Sequence, residues 1–190
     1  MIASNHATAV ELEAGLDFIR RSPKDGGALE LIVRRPQVNE RETLAEATLD
    51  LVEGLVGDSW KARGSTRTPD GAADPETQIT LMNSRAAAVM ARSRERWGLA
   101  GDQLFVDLDL SGANLPPGTR LAVGAAVIEV TCPPHNGCKK FMARFGPEAL
   151  RFVNSPLGQE LHLRGINAKV VRGGLIRTGD AVKKIRAGGQ

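Results

Sequence analysis

The most regular pattern in the chain is a two-residue alternation of apolar and polar positions, in short runs separated by Gly, Pro, Asn and Asp. Such alternation places one set of side chains on each face of a strand. It predicts strands over Ala28–Arg34, Gln78–Met82, Leu104–Leu110, Arg120–Val123, Ala125–Thr131, Leu161–Arg164, Ile166–Val171 and Ala181–Ile185. Helical spacing appears at Val10–Arg20, at Arg41–Leu55 before Gly54 and Gly57, at Arg85–Trp97 after an Asn83-Ser84 cap, and at Pro147–Val153 ahead of Asn154-Ser155-Pro156. Residues 61–77 lack periodicity and combine Gly, Pro, Ser, Thr and Asp, which predicts a long surface loop or flap. Many short strands between turn signals favour a barrel or sandwich over a parallel α/β sheet. The fold class expected is therefore mainly β with a few helices (α+β), in a single domain over 1–190.

Composition narrows the function classes. With 42% hydrophobic and 25% charged residues the chain is of ordinary globular type. Neither an apolar run long enough to span a bilayer nor a basic-then-apolar leader is present, so the expected location is cytoplasmic, without a membrane partner. The net charge of +3 spreads 25 basic against 22 acidic residues. Aromatics are 4% of the chain and Tyr is absent, which argues against nucleic acid and leaves a small anionic cofactor as the better match to the charge.

Only two cysteines occur, Cys132 and Cys138, too few for a disulfide scaffold, so a chemical role outweighs an architectural one. They bracket the densest chemical segment, Thr131-Cys132-Pro133-Pro134-His135-Asn136-Gly137-Cys138-Lys139-Lys140-Phe141. Cys132 follows the apolar strand and reads as a small buried hydrophobe. Cys138 lies beyond it, where packing explains it poorly. His135, Lys139 and Lys140 would favour its thiolate, which is both nucleophile and soft metal ligand. Cys132, His135 and Cys138 could also begin a zinc site, but the spacing supplies no second ligand pair.

Other residues have two readings. Asn83, Ser84 and Arg85 could hold a cofactor phosphate on backbone N–H groups at a helix start, or be a plain cap with a solvated Arg. Asp102 could face the site or sit in a turn. Asp107 and Asp109, two apart, share a strand face, which allows acid–base work or simple exposure. Lys139, Lys140, Arg144 and Arg164 could line an anionic pocket. Phe141 with Phe145, and Trp60 with Trp97, read as core.

From Gly101 to Val182 the chain resembles the MOSC domain family, named for the C-terminal part of molybdenum cofactor sulfurases. The resemblance rests on Gly101-Asp102-Gln103-Leu104-Phe105-Val106-Asp107, Asn114-Leu115-Pro116-Pro117-Gly118-Thr119, Gly124–Thr131, the Cys138 loop, Arg164-Gly165-Ile166 and Gly179-Asp180. It implies a pyruvate-kinase-like β-barrel with a key cysteine near a strand end, matched by Cys138. That cysteine would carry sulfur as a persulfide or ligate the molybdenum of a pterin cofactor. The resemblance thus implies sulfur delivery with a cysteine desulfurase as partner, or reduction of N-hydroxylated compounds with a redox partner; a non-catalytic binding module is the third option. The chain departs from the family at Gly101-Asp102-Gln103, where many members have Gly-Glu-Asn, and at His135-Asn136-Gly137-Cys138, where Arg-x-Pro-Cys is common. Pyridoxal phosphate belongs to a desulfurase domain fused to some members and is not expected on this chain.

Overall fold

A computed structural model describes residues 6–185. Its strands are β1 (Gly27–Arg34), β2 (Glu42–Leu44), β3 (Glu46–Asp50), β4 (Gly54–Leu55), β5 (Ile79–Asn83), β6 (Leu104–Asp107), β7 (Arg120–Val123), β8 (Ala126–Val130), β9 (Ile166–Arg172), β10 (Gly174–Arg177) and β11 (Ala181–Ile185). Seven of them close a ring in the order β11-β7-β8-β9-β5-β6-β1, with β1 returning to β11, and β2 hangs on the outside of β1. Only the β5–β6 pairing in this sheet is parallel. A small antiparallel sheet, β10-β3-β4, lies apart from the ring's hydrogen bonding. Closure leaves the ring without open edges, which is why such short strands suffice.

Alternation sorts the side chains between two apolar clusters. Leu81, Leu104, Val106, Leu121, Val123, Ile128 and Ile166 belong to the barrel interior. Their neighbours Met82 and Phe105, with Leu31 and Val33, join a second cluster with the helices. Leu29 and Ile32 both belong to the interior although they are three positions apart, a spacing an unbroken strand forbids. The β1–β6 register slips between Leu29 and Leu31, and that bulge restores the pattern.

The helices are α1 (Ala9–Ala14), α2 (Leu16–Arg20), α3 (Trp60–Arg63), α4 (Ser84–Ala91), α5 (Lys139–Asn154) and α6 (Pro156–Glu160). A Thr8–Glu11 capping box opens α1. Helix α5 is kinked at Gly146 and buries Phe141, Phe145, Ala149 and Val153 against the barrel. Among the described residues no helix is long and apolar enough to cross a membrane.

Four expectations from the sequence are corrected. Residues 41–55 form β2, β3 and β4 rather than a helix: Leu49 and Leu55 are buried while Leu51 and Val52 stand exposed. Strand partners, above all Ile176 opposite Ala47 on β10, decide this segment, and the sequence pattern did not mark β10. Residues 161–164 are turn, not strand, because Ser155 caps α6 (its Oγ accepts from Gly158 N at 3.0 Å) and Pro156 takes the first helical position. The helix after Asn83 stops at Ala91, where Arg92 turns left-handed, and a separate 3₁₀ helix spans Arg94–Ala100. The 61–77 segment is less irregular than its composition suggests, with α3 reaching Arg63 and a 3₁₀ turn at Pro75–Thr77.

Candidate functional site

The loop from Thr131 to Cys138 joins β8 to α5 and is held at three points. Thr131 Oγ1 donates to Glu76 O at 2.5 Å, and Asn167 Nδ2 donates to Pro133 O at 3.0 Å. The Asn154 amide grips Gly137 both ways, accepting from its N–H at 2.9 Å and donating to its carbonyl at 3.1 Å. Cys138 then takes extended backbone angles as the N-cap of α5, and its side chain makes no capping hydrogen bond. The thiol is exposed, with Lys139 and Lys140 exposed beside it in the first helical turn. The start of a helix carries the positive end of its dipole, which favours an anion there.

Cys138 opens onto a hollow of about 390 Å³ walled by Ser65, Arg67, Thr77, His135, Asn136 and Asn167. Part of the 61–77 loop therefore faces the thiol. A neighbouring cavity of about 560 Å³ is lined by Cys132, His135, Gln159, His162, Arg164 and Ile166, so His135 stands between the two. Cys132 is exposed there, against the expectation of a buried hydrophobe. The strand ends at Val130 and the buried Thr131, so the alternation no longer governs the next position.

Beneath the loop the buried Asp102 and Arg164 meet the half-buried His135, whose side chain is 17% exposed. Asp102 is fully buried and its Oδ2 accepts from Arg164 Nη1 at 2.6 Å. Arg164 also donates through Nη2 to Ala100 O at 2.9 Å, with its guanidinium 5.1 Å above the Phe141 ring. His135 Nδ1 stands 3.4 Å from Asp102 Oδ1. Neither of those atoms, nor Arg164 Nε, has a hydrogen-bond partner among the described residues. Burial pushes the His135 imidazolium down to about 3, Arg164 pushes the same way, and Asp102 opposes. His135 is thus neutral near pH 7, and the positive charge it was expected to offer the thiolate is absent.

Gly165 fixes how His135 lies. Its φ is 113°, and a Cβ there would stand 2.2 Å from Leu81 O and 3.2 Å from His135 Nδ1. Backbone strain in this region costs on the order of 1–3 kcal/mol, to which the clash adds. Gly165→Ala is expected to lower the unfolding free energy, read by urea titration, by an amount in or above that range. An unfolding free energy within about 0.5 kcal/mol of wild type would contradict the close packing.

The residues at the start of α4 do not join this site. Asn83 is buried; its Oδ1 accepts from Ala86 N, and its Nδ2 donates to Ser22 Oγ and Leu108 O. Ser84 is buried as well. Arg85 forks onto Asp107 at 2.7 and 3.0 Å and lies over Phe18, so the strand-face pair of carboxylates is broken up, Asp109 accepting instead from Ser111 N. Ser84 and Arg85 line a hollow that includes neither Cys138 nor His135. Phe141 and Phe145 are core, with ring centres 4.9 Å apart. No three His, Cys, Asp or Glu side chains converge as a metal-holding group among the described residues. Sequence reading offered Arg164 as a lining residue of an anionic pocket or a solvated charge, not as the buried partner of Asp102, and missed Arg67, Asn154 and Asn167. An arginine directly before a glycine and an apolar strand was the one available signal.

A closed barrel carrying an exposed cysteine where a strand's exit loop meets a helix defines the class of protein. The model of the MOSC domain family matches residues 70–183, and the chain belongs to that family. Among solved structures it is similar to the YuaD protein from Bacillus subtilis (TM-score 0.60, 17% identity, 83% of this chain and 94% of that one) and to YiiM from Escherichia coli (TM-score 0.54, 16% identity, 86% and 72%). At these identities the likeness is one of fold. No curated protein matches the chain.

Proposed function

We propose that the chain carries sulfur as a persulfide on Cys138. The observation behind this reading is the accessibility of the thiol: it is exposed, makes no capping hydrogen bond, and starts a helix flanked by Lys139 and Lys140. In loading, the Cys138 thiolate attacks the outer sulfur of a persulfide on a donor protein, such as a cytoplasmic cysteine desulfurase whose own chemistry uses pyridoxal phosphate. A new S–S bond forms at Cys138, the donor's S–S bond breaks, and the donor departs as a thiolate. In delivery the outer sulfur passes to an acceptor nucleophile and Cys138 leaves as thiolate. No oxidant enters either step.

A second reading makes Cys138 a ligand for a molybdenum–pterin cofactor, and the lining of the 390 Å³ hollow favours it. Arg67, Ser65, Thr77 and Asn136 present the cation, hydroxyls and amide that a phosphorylated, hydrogen-bonding cofactor requires, beside a soft thiolate donor. Bound there, the metal would supply two-electron redox chemistry, as in reduction of N-hydroxylated compounds.

Metal analysis and intact mass on protein purified without reductant separate the readings. A mass gain of one sulfur atom, removed by thiol, without molybdenum and lost in Cys138→Ser, is the expected result. Molybdenum and pterin retained by wild type and lost from Cys138→Ser would replace it with the second reading. Neither signal, with a thiol slow to alkylate, leaves a non-catalytic binding module.

A further inference from the structure

The 3₁₀ helix Arg94–Ala100 ends among four arginines. Gly98 O accepts from Arg41 Nε at 3.2 Å, Leu99 O from Arg144 Nη1 at 2.8 Å, Ala100 O from Arg164 Nη2 at 2.9 Å, and Gly101 O from Arg35 Nη1 at 2.8 Å. Cations at a helix C-terminus satisfy its last carbonyls, and that explains one N–H of each. It does not explain four full charges at one turn. Two are balanced by buried carboxylates, Arg35 by Asp58 and Arg164 by Asp102. Arg41 and Arg144 have no carboxylate partner among the described residues: their remaining bonds go to the Glu40 carbonyl and to Asn39 Oδ1. Arg63, exposed at the end of α3, forms no ion pair among the described residues either.

The two unbalanced guanidiniums converge on a bare backbone. Gly101 has φ 94°, and the point where a Cβ would stand lies 3.6 Å from Arg41 Nη2 and 3.9 Å from Arg144 Nη1. Arg41 and Arg144 are both partly exposed, so the basin is open to solvent. Burial, and then the like charges of Arg144, Arg35 and Arg63, make it harder for Arg41 to stay protonated, with Asp58 only partly offsetting them. The local field is therefore net positive, and an anion would relieve it.

We propose that Arg41, Arg144 and the open face of Gly101 bind the phosphate group of a small phosphorylated ligand. Two planar forks facing a position kept free of side chain suit a tetrahedral oxyanion, which takes paired N–H donors from each. The basin is one residue along the chain from Asp102, but that carboxylate is fully buried, and none of Arg41, Gly101 and Arg144 lines the hollow at Cys138. The inference does not depend on the chemistry of Cys138.

The test is calorimetric titration of the full chain at low ionic strength with inorganic pyrophosphate, inorganic phosphate and glycerol phosphate. Saturable binding at one site is expected, weakened about tenfold or more by Arg144→Gln and less by Arg144→Lys, which keeps the charge and loses the fork. Arg120→Gln, whose partner is Glu129 on the β7–β8 pair, and Cys138→Ser should bind as wild type. Tighter binding of the ester assigns the site to an organic ligand; equal binding assigns it to the free anion. Urea unfolding of each variant separates lost binding from lost fold. The proposal is overturned by the absence of saturable binding or by equal weakening in Arg120→Gln.

Discussion

Asp102→Asn is expected to destabilise the chain by about 3–5 kcal/mol, although the side chain barely changes shape. The carboxylate is fully buried, and Arg164, whose side chain is only 8% exposed, forms its ion pair with it. Removing the charge leaves the guanidinium buried against a neutral amide, with the Ala100 carbonyl and the Phe141 ring face as its other neighbours and no anion to balance it. That penalty, rather than the worth of the pair itself, sets the size of the effect. Adding Arg164→Met removes the stranded charge and keeps a long apolar side chain under the ring, so the double variant should regain a large part of the loss. Denaturant midpoints of the two single variants, the double variant and wild type form the cycle. A double variant as unstable as the sum of the singles would show that the pair is not acting as a unit.

Acid should unfold the protein earlier than its carboxylates alone would dictate, and His135 is the reason. Its imidazole is held neutral in the fold down to about pH 3 but takes a proton near its ordinary value of 6.5 once unfolded. Between those values the unfolded state binds the extra proton, so stability falls as pH drops through the window and is fully present above about pH 6.5. At about 1.4 kcal/mol per unit the whole window is worth on the order of 5 kcal/mol. Urea midpoints measured from pH 7 to pH 4 should fall steadily in wild type and more shallowly in His135→Gln, which has nothing to protonate. Identical slopes would mean that His135 is charged in the fold, in contact with Asp102, and that the burial argument fails.

The two variants also bear on the Cys138 loop. Asp102 and Arg164 are 62 residues apart in the chain, and His135 comes from a third segment. The sequence made Asp102 and His135 separate candidates without joining them. Nothing in local spacing reports that a Gly-Asp turn, a Pro-rich loop and an Arg-Gly pair will share one buried pocket. Arg164 was legible as a candidate for an anionic pocket but not as a buried ion-pair partner, since burial of an arginine depends on what other segments bring to it.

What the sequence determined by itself is what local chemistry controls. The two-residue alternation produced β1, β5, β7, β8, β9 and β11 close to their observed limits, because each side chain's face follows from its parity along a strand. The Gly, Pro and Cys pattern of the 131–138 loop, through its family resemblance, singles out Cys138, and the fold leaves that thiol exposed. Tertiary structure alone decided the rest. Residues 41–55 have spacing compatible with a helix, and become strands because β1 and β10 offer backbone partners worth more than helical propensity. Closure of the barrel, exposure of Cys132, neutrality of His135 and the gathering of arginines at Gly98–Gly101 likewise arise from segments far apart in sequence. Strand pairing, burial and charge balance are set by which surfaces meet, and a linear pattern specifies only which surfaces are available.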